Sequence, residues 1–183
     1  MFAQIGVFLV DAVASFFVFV LLARFHFQWL RVPFRNPVGE FVLATTSFMV
    51  LPVRRVIPGL AGLDLATLLL AWLVQGISLW IQTEIVGAEV GAMALAGIAA
   101  VDLLRYSLYI LIFAVIVQAV LSWVNPYTPV GPAFDTITRP FLRPLRRFIQ
   151  PLGGVDLTPL ILLVILQVLL FPVGALRVAA GTL

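Results

Sequence analysis

The sequence predicts an all-α integral membrane protein: four transmembrane helices as two parallel helix–arginine loop–helix repeats, whose loops carry short interfacial or re-entrant helices. Three observations predict it. Hydrophobic residues fill 63% of the 183 positions and charged ones 10%, with mean hydropathy +1.17, a balance that belongs in lipid and not in a soluble globular domain. Several apolar runs approach or exceed the roughly 20 residues a helix needs to cross ~30 Å of hydrocarbon. The polar, proline and glycine residues between those runs recur at one period. A single membrane domain over residues 1–183 is expected, with repeat one over about 5–82, a linking segment 83–102 and repeat two over about 103–176.

The first span runs from Ile5 to about Leu22 and extends toward Trp29, interrupted by Asp11 before Arg24. Its start lacks a basic n-region and the run ends at arginine, so it reads as a retained helix and not a cleaved signal peptide. A Pro-, Gly- and Arg-rich stretch follows from Arg31 to Gly62 and encloses a mixed segment, Glu40 to Leu51, too short to span. That segment reads as interfacial or re-entrant. Helix two opens at Asp64, an N-cap after glycine, continues through Trp72 toward Ile81 and closes at Glu84. The small-residue segment Ile85 to Val101, with Gly87, Gly91 and Gly97, reads as interfacial or as a tilted or broken extension of helix three. Helix three runs from Leu103 to Trp123, with Tyr106 and Trp123 at belt positions, and Asn125-Pro126 ends it. After a second Pro- and Arg-rich stretch, helix four runs from Asp156 to Phe171 or beyond, its end loosened by Pro172 and Gly174.

Sliding the chain against itself by 92 residues sets Pro37-Val38-Gly39 on Pro129-Val130-Gly131, Thr46 on Thr138 and Pro52 on Pro144. The same shift sets Arg54-Arg55 on Arg146-Arg147, Ile57 on Ile149, Gly62 on Gly154, Asp64-Leu65 on Asp156-Leu157 and Gln75 on Gln167. Such residues are rare in this composition, so the match signals internal duplication. Read twice, the pattern is Asn-Pro, then Thr, then Pro-x-Arg-Arg-x-Ile, then Gly-x-Asp-Leu opening an apolar helix. It resembles the YggT family of small integral membrane proteins over most of the chain. Two positions depart between halves: Phe48 against Pro140, and Pro58 against Gln150.

The resemblance implies a role linked to osmotic-shock tolerance and potassium uptake, to division-site and envelope organisation, or, in plastids, to cytochrome b assembly. A non-enzymatic inner-membrane scaffold or assembly factor accommodates all of these. The alternative is an ion transporter or channel component, for potassium or protons. A bacterial cytoplasmic membrane location accompanies the resemblance.

Eleven arginines, no lysine and no cysteine accompany a net charge of +3. Without cysteine, disulfides, thiolate nucleophiles, iron–sulfur ligation and covalent haem attachment are excluded. His26 is the only histidine, which rules out sites of several imidazoles and leaves it an interfacial aromatic. No P-loop, Gly-x-Ser-x-Gly elbow or His-Glu-x-x-His motif occurs, so no enzyme activity, catalytic residue, metal or cofactor is expected. Gly87-x-x-x-Gly91 is a weak helix-packing signal.

Arg31, Arg35, Arg54, Arg55, Arg139, Arg143, Arg146 and Arg147 read as positive-inside anchors or as a site for anionic headgroups or a partner protein, which a guanidinium fork grips bidentately. Nucleic acid is not expected, since the basic clusters lie between apolar spans without a solvated arm. A homo-oligomer is compatible with four spans. Asp64 and Asp156 read as N-caps, as ion-pair partners of the arginines ten residues upstream, or both. Gln75 and Gln167, eleven residues further, lie roughly 16 Å along their helices, where glutamine bonds across to a neighbouring helix or lines a pore. Asp11 has no local counter-charge; Asp102 and Arg105, three apart, are placed to pair. Arg24 is expected to snorkel. Asp11, Gln75, Gln118 and Gln167 would face one interior if the chain moved ions.

The arginine loops are expected in the cytoplasm and the termini outside, because the Gln82–Val101 connection carries Glu84 and Glu89 without arginine. A phosphatase fused after Gln150 is therefore expected to be inactive and one fused after Gly87 active. Activity at Gln150 would mean five spans and an inverted repeat.

Overall fold

The computed structural model describes residues 1–59, 62–125, 127–149 and 156–182, and among them forms six helices and no strand-built sheet. Helix α1 spans Phe2–Trp29, α2 Pro37–Arg54, α3 Leu65–Val86, α4 Ala92–Val124, α5 Gly131–Phe148 and α6 Thr158–Ala180. Four of them, α1, α3, α4 and α6, are long and apolar enough to cross a membrane. Pro126, Gln150, Gly154 and Val155, together with the Trp123 side chain, fall outside the described residues.

Helix α1 is longer at both ends than its apolar run, since Gln28 and Trp29 complete its last turns. It closes with Val32 N–H donating to the Phe27 carbonyl at 2.8 Å and Arg31 N–H to that of Gln28 at 3.2 Å. This reversal needs a left-handed residue one past the C-cap Leu30, and Arg31 supplies it at φ 56°, a conformation costly for most residues but glycine. The buried contact of Val32 with Phe27 offsets that cost. Gly87 ends α3 in the same way at φ 72°. Gly87 and Gly91 therefore flank a turn and form no helix-packing motif.

The segment 85–101 divides between the end of α3, that turn and the start of α4. Alanine-rich Ala92–Ala100 carries strong helix propensity and joins Leu103–Val124 in one unbroken helix of 33 residues, about 50 Å long. The helix is neither broken nor confined to the interface. Likewise α6 continues past Pro172 and Gly174 to Ala180.

Helices α1 and α3 pack side by side, as do α4 and α6, and α4 also joins α1 and α3. Val18, Leu21 and Leu22 of α1 meet Val50 of α2, Ala71 of α3, and Leu103 and Ile110 of α4 in one buried cluster. Val115, Leu142, Leu162 and Leu166 tie α4, α5 and α6. A third cluster sets Phe27 and Val32 against Ala114, Ala133, Phe134 and Ile137, so the first loop rests on the far end of α4 and on α5. The outward faces stay apolar, with Phe8, Val13, Phe113, Val120, Leu160 and Val168 exposed. In water such surface would be a liability; in lipid it is the solvated surface.

The two short helices differ. Asn36 caps α2, its Oδ1 accepting from Gly39 N–H at 3.0 Å and its amide donating to the Pro33 carbonyl at 2.6 Å, with Pro37 in the first turn. Helix α2 buries Val42, Thr46 and Val50 and turns Phe41, Phe48 and Leu51 outward. Helix α5 buries Ala133, Phe134, Ile137 and Leu142 and turns Arg139, Arg143 and Arg147 outward, the pattern of a helix lying in an interface. Asn125 does not cap α5; its Oδ1 accepts from Tyr127 N–H at 3.0 Å.

Gly39 is held where the chain doubles back. A Cβ there would meet the Phe34 carbonyl oxygen at 2.5 Å and Phe34 Cα at 2.7 Å, whereas one at Gly174 meets nothing within 4 Å. Gly39→Ala is expected to destabilise the fold by roughly 1–3 kcal/mol, and Gly174→Ala to be neutral or stabilising by up to about 1 kcal/mol. Thermal unfolding of the purified variants in detergent distinguishes them; equal melting temperatures would contradict the close approach.

Candidate functional site: polar clusters at the two ends of the bundle

Charge gathers at two levels of the bundle. At the end bearing α2 and α5, Arg24 is buried with 3% exposure. Its Nη1 donates to Thr46 Oγ1 at 2.8 Å and Ser47 Oγ at 3.3 Å, and the Thr46 hydroxyl in turn donates to the Val42 carbonyl at 2.6 Å. The buried Nε has no hydrogen-bond partner among the described residues. Arg24 thus does not snorkel, because α2 lies across the end of α1 and delivers two hydroxyls to its flank. Thr138 is equally buried, but its hydroxyl bonds within its own helix, to the Phe134 carbonyl at 2.9 Å. Phe113 to Ile116 of α4 supply no arginine to reach it.

Arg54 donates to Asp64 and to Gln28 Oε1, the latter at 2.9 Å. Asp64, 2% exposed, also accepts from the Thr67 hydroxyl and, at 3.4 Å, from Thr67 N–H. In the second half Arg146 Nε donates to Asp156 at 2.9 Å and Thr158 N–H to the same carboxylate at 2.9 Å. Each aspartate therefore serves both its helix start and the arginine ten residues before it. Burial opposes both carboxylates, yet the hydrogen bonds from Arg54 and Thr67, and from Thr158 and Arg146, prevail and hold both pKa values below the ordinary aspartate range. Depressed folded values mean that both contacts are complete above about pH 4 and are lost only as pH falls further. Arg54 keeps 34% of its side chain exposed, so breaking its pair costs less than the ~3–5 kcal/mol of a fully buried one.

The remaining arginines of this end point outward. Arg139 pairs with Asp135 one turn back on α5. Arg31, Arg35, Arg55, Arg143 and Arg147 are exposed, and none forms an ion pair among the described residues. Gln118 and Ser122 line a recess of about 200 Å³ beside Arg146 and Asp156. His26 is half-buried, with Nδ1 2.6 Å from the Leu22 carbonyl and its ring edge-on to Phe25.

At the opposite end all four spans contribute to one polar chamber of about 250 Å³, bounded by Asp11 of α1, Gln75 and Gln82 of α3, Asp102, Arg105, Tyr106 and Tyr109 of α4, and Arg177 of α6. Asp102 is 4% exposed and pairs with Arg177 Nε at 2.6 Å, while Gln75 Nε2 donates to it at 2.9 Å. The expected Asp102–Arg105 pair does not form. Asp102 turns into the bundle, where low dielectric strengthens its contact with Arg177, and Arg105 turns to Tyr109, its Nε donating to the phenol at 3.0 Å. Gln82 Nε2 lies 3.4 Å from Asp11 and 3.0 Å from Ser78.

Gln75 and Gln167 do not play matching parts. Gln75 is buried against α4; Gln167 is exposed, because α6 meets its neighbours through Leu162, Leu166 and Val173, and the residue after Leu166 lies ~100° around the helix. Asp11 and Gln75 share the chamber, whereas Gln118 lies at the other end and Gln167 on the outside. Between the ends, Val18, Leu21, Leu22 and Ala71 are fully buried aliphatic side chains. Sequence reasoning missed Gln28, Asn36, Thr67, Gln82 and Arg177 as partners. Their only local signal is a polar residue in an apolar run, which names no partner.

Long apolar helices with charge confined to the bundle's ends define the class: a multi-pass helical membrane protein. Within that class the chain belongs to the family described as CCB3/YggT, which matches residues 3–83 and 97–176, one segment in each half. It is 33% identical over 178 residues to "Uncharacterized protein YggT" of Escherichia coli (strain K12), covering 96% of this chain and 93% of that protein. To "Uncharacterized protein PA0392" of Pseudomonas aeruginosa it is 33% identical over 159 residues, 85% of this chain and 81% of the relative. To "Uncharacterized protein in proC 3'region" of Vibrio alginolyticus it is 29% identical over 172 residues, 91% and 92% of the two chains. No solved structure matches.

The two buried threonines separate by mutation. Thr46→Val removes a hydroxyl acceptor from a buried guanidinium and is expected to cost about 1.5–3 kcal/mol, Thr138→Val under about 1 kcal/mol. Equal losses in thermal unfolding would show that Arg24 does not depend on Thr46.

Proposed function

We propose that this protein is a non-enzymatic scaffold or assembly factor of the bacterial inner membrane, working through the arginine-bearing end of the bundle. The observation that carries the reading is the set of exposed, unpaired guanidiniums at that end: Arg31, Arg35 and Arg55 beside α2, and Arg143 and Arg147 on α5. Two aspartates at the same end are committed to Arg54 and Arg146. The surplus positive charge is therefore available to anionic headgroups, and to a partner protein that presents carboxylates or phosphates. The positive-inside tendency places this end in the cytoplasm and the termini outside. Contacts among Asp11, Gln82, Asp102 and Arg177 support two repeats parallel to one another, related by an axis along the membrane normal. Envelope organisation and osmotic-stress tolerance are processes in which such a scaffold would serve.

Transport of potassium or protons is the alternative, and the polar chamber is the observation in its favour. A conducting path would have to cross the aliphatic layer of Val18, Leu21, Leu22 and Ala71, which favours the scaffold reading. Photo-crosslinkers at Arg143 and Arg147, in cells producing the full-length protein, test it. Discrete protein adducts are expected there, and none from a lipid-facing control at Val164. Adducts to lipid alone, together with ion flux in proteoliposomes that Asp11→Asn abolishes, would replace the scaffold with the transporter.

A further inference from the structure

The chamber at the far end has a function of its own to account for. Its inner wall is complete: Asp102 is neutralised by Arg177 and bonded by Gln75. Its outer wall is not. Asp11 and Arg105 are both exposed, and neither belongs to an ion pair among the described residues. Asp11 has one long contact, from the Gln82 amide at 3.4 Å. Arg105 uses Nε on the Tyr109 phenol and lies over that ring at 5.5 Å, which leaves both Nη groups unengaged. One carboxylate and one guanidinium, neither in an ion pair among the described residues, thus line the same space. Leu79 is the apolar side chain in its lining.

We infer that the chamber binds a small zwitterion, a group carrying an ammonium and an anion a few ångströms apart, with Asp11 receiving the ammonium and Arg105 the anion. A simple cation would meet repulsion from Arg105 and Arg177, and a simple anion from Asp11 and Asp102; a zwitterion satisfies both walls without net charge. Depth agrees with entry from the end of the bundle: Gln82 and Arg177, within the last turn or so of α3 and α6, lie nearest the rim, and Asp11 and Arg105, 9 and 13 residues into α1 and α4, lie deeper. Size agrees too, since about 250 Å³ is below the ~300–1,000 Å³ of drug-sized sites and suits a phosphoethanolamine-like or amino-acid-like group without an acyl chain. Charges facing the interior of a membrane bundle are retained at a cost and mark sites, and neither Asp11 nor Arg105 has an ion-pair partner among the described residues to explain it. The inference is independent of the scaffold reading, because it concerns the opposite end of the bundle.

Two arms test it with the full-length protein in a non-ionic maltoside detergent. In the first, calorimetric titration with glycerophosphoethanolamine, a phosphodiester zwitterion without net charge, is compared with ethanolamine and dimethyl phosphate, which each carry one of the two charges. In the second, nanodiscs of mixed phosphatidylethanolamine and phosphatidylglycerol are assayed for retained lipid by native mass spectrometry. Saturable binding of the zwitterion is expected in at least one arm, about tenfold or more tighter than for single-charge molecules. Asp11→Asn and Arg105→Gln are each expected to weaken it about tenfold, the loss of one charged contact, with melting temperatures unchanged because both side chains are exposed. Arg105→Lys, which keeps the charge, is expected to retain the zwitterion preference. Binding in the nanodisc arm alone assigns the site to a lipid headgroup, and binding in the titration arm alone to a soluble solute. No binding in either arm, equal binding of a single-charge molecule, or binding indifferent to both substitutions would overturn the proposal.

Discussion

A charge inside hydrocarbon must carry its own partner, and that requirement shapes this bundle more than any single contact. The spans interlock through Val18, Leu21, Leu22 and Ala71 at mid-depth, and charged side chains gather toward the two ends, with Gln75, midway along α3, bonded across to Asp102. At one end Asp64 and Asp156 each tie a helix start to the arginine of the preceding loop, so the loops fold back onto the spans instead of trailing in water. At the other, Asp102 is held by partners from α3 and α6 at once. Because those partners come from different spans, the ends brace the bundle across helix pairs that the aliphatic core alone would allow to slide.

The two segments that match the family, residues 3–83 and 97–176, are not equivalent in structure. The first half buries Arg24 against Thr46, and Gln28 accepts from Arg54; in the second, Thr138 turns back on its own helix and Gln118 lines an open recess beside Arg146. Helix α2 presents Phe41 and Phe48 outward, whereas α5 presents Arg139 and Arg143. One half thus offers a surface suited to acyl chains or an apolar partner, the other a surface suited to phosphate and carboxylate.

The spans were legible because lipid imposes a single rule on every residue of a helix that crosses it: length and hydropathy suffice, as for α1 and α6. The repeat was legible because prolines, glycines and paired arginines are rare in such a composition, so Asp64 with Arg54 and Asp156 with Arg146 stood out by spacing alone. Boundaries were less so. Ala92–Ala100 joined α4 through the propensity of alanine, which carries no hydropathy signal of its own strength, and α6 runs on past Pro172, which lies on its exposed side.

What the sequence determined by itself is the presence of four helices long and apolar enough to cross a membrane and the recurrence of one residue pattern in its two halves, which follow from local composition or from comparison of the chain with itself. Pairings across helices were decided only by tertiary structure. Asp102 and Arg105 share a helix face, yet Asp102 bonds Arg177, 75 residues away, because helix rotation set one side chain inward and the other outward. Gln75 and Gln167 occupy equivalent positions in the repeat, yet one is buried and the other faces outward, because α3 and α6 meet their neighbours at different angles about their axes. Periodicity tells which residues lie on one face; only packing decides which face turns inward, and with it where the bundle keeps its charge.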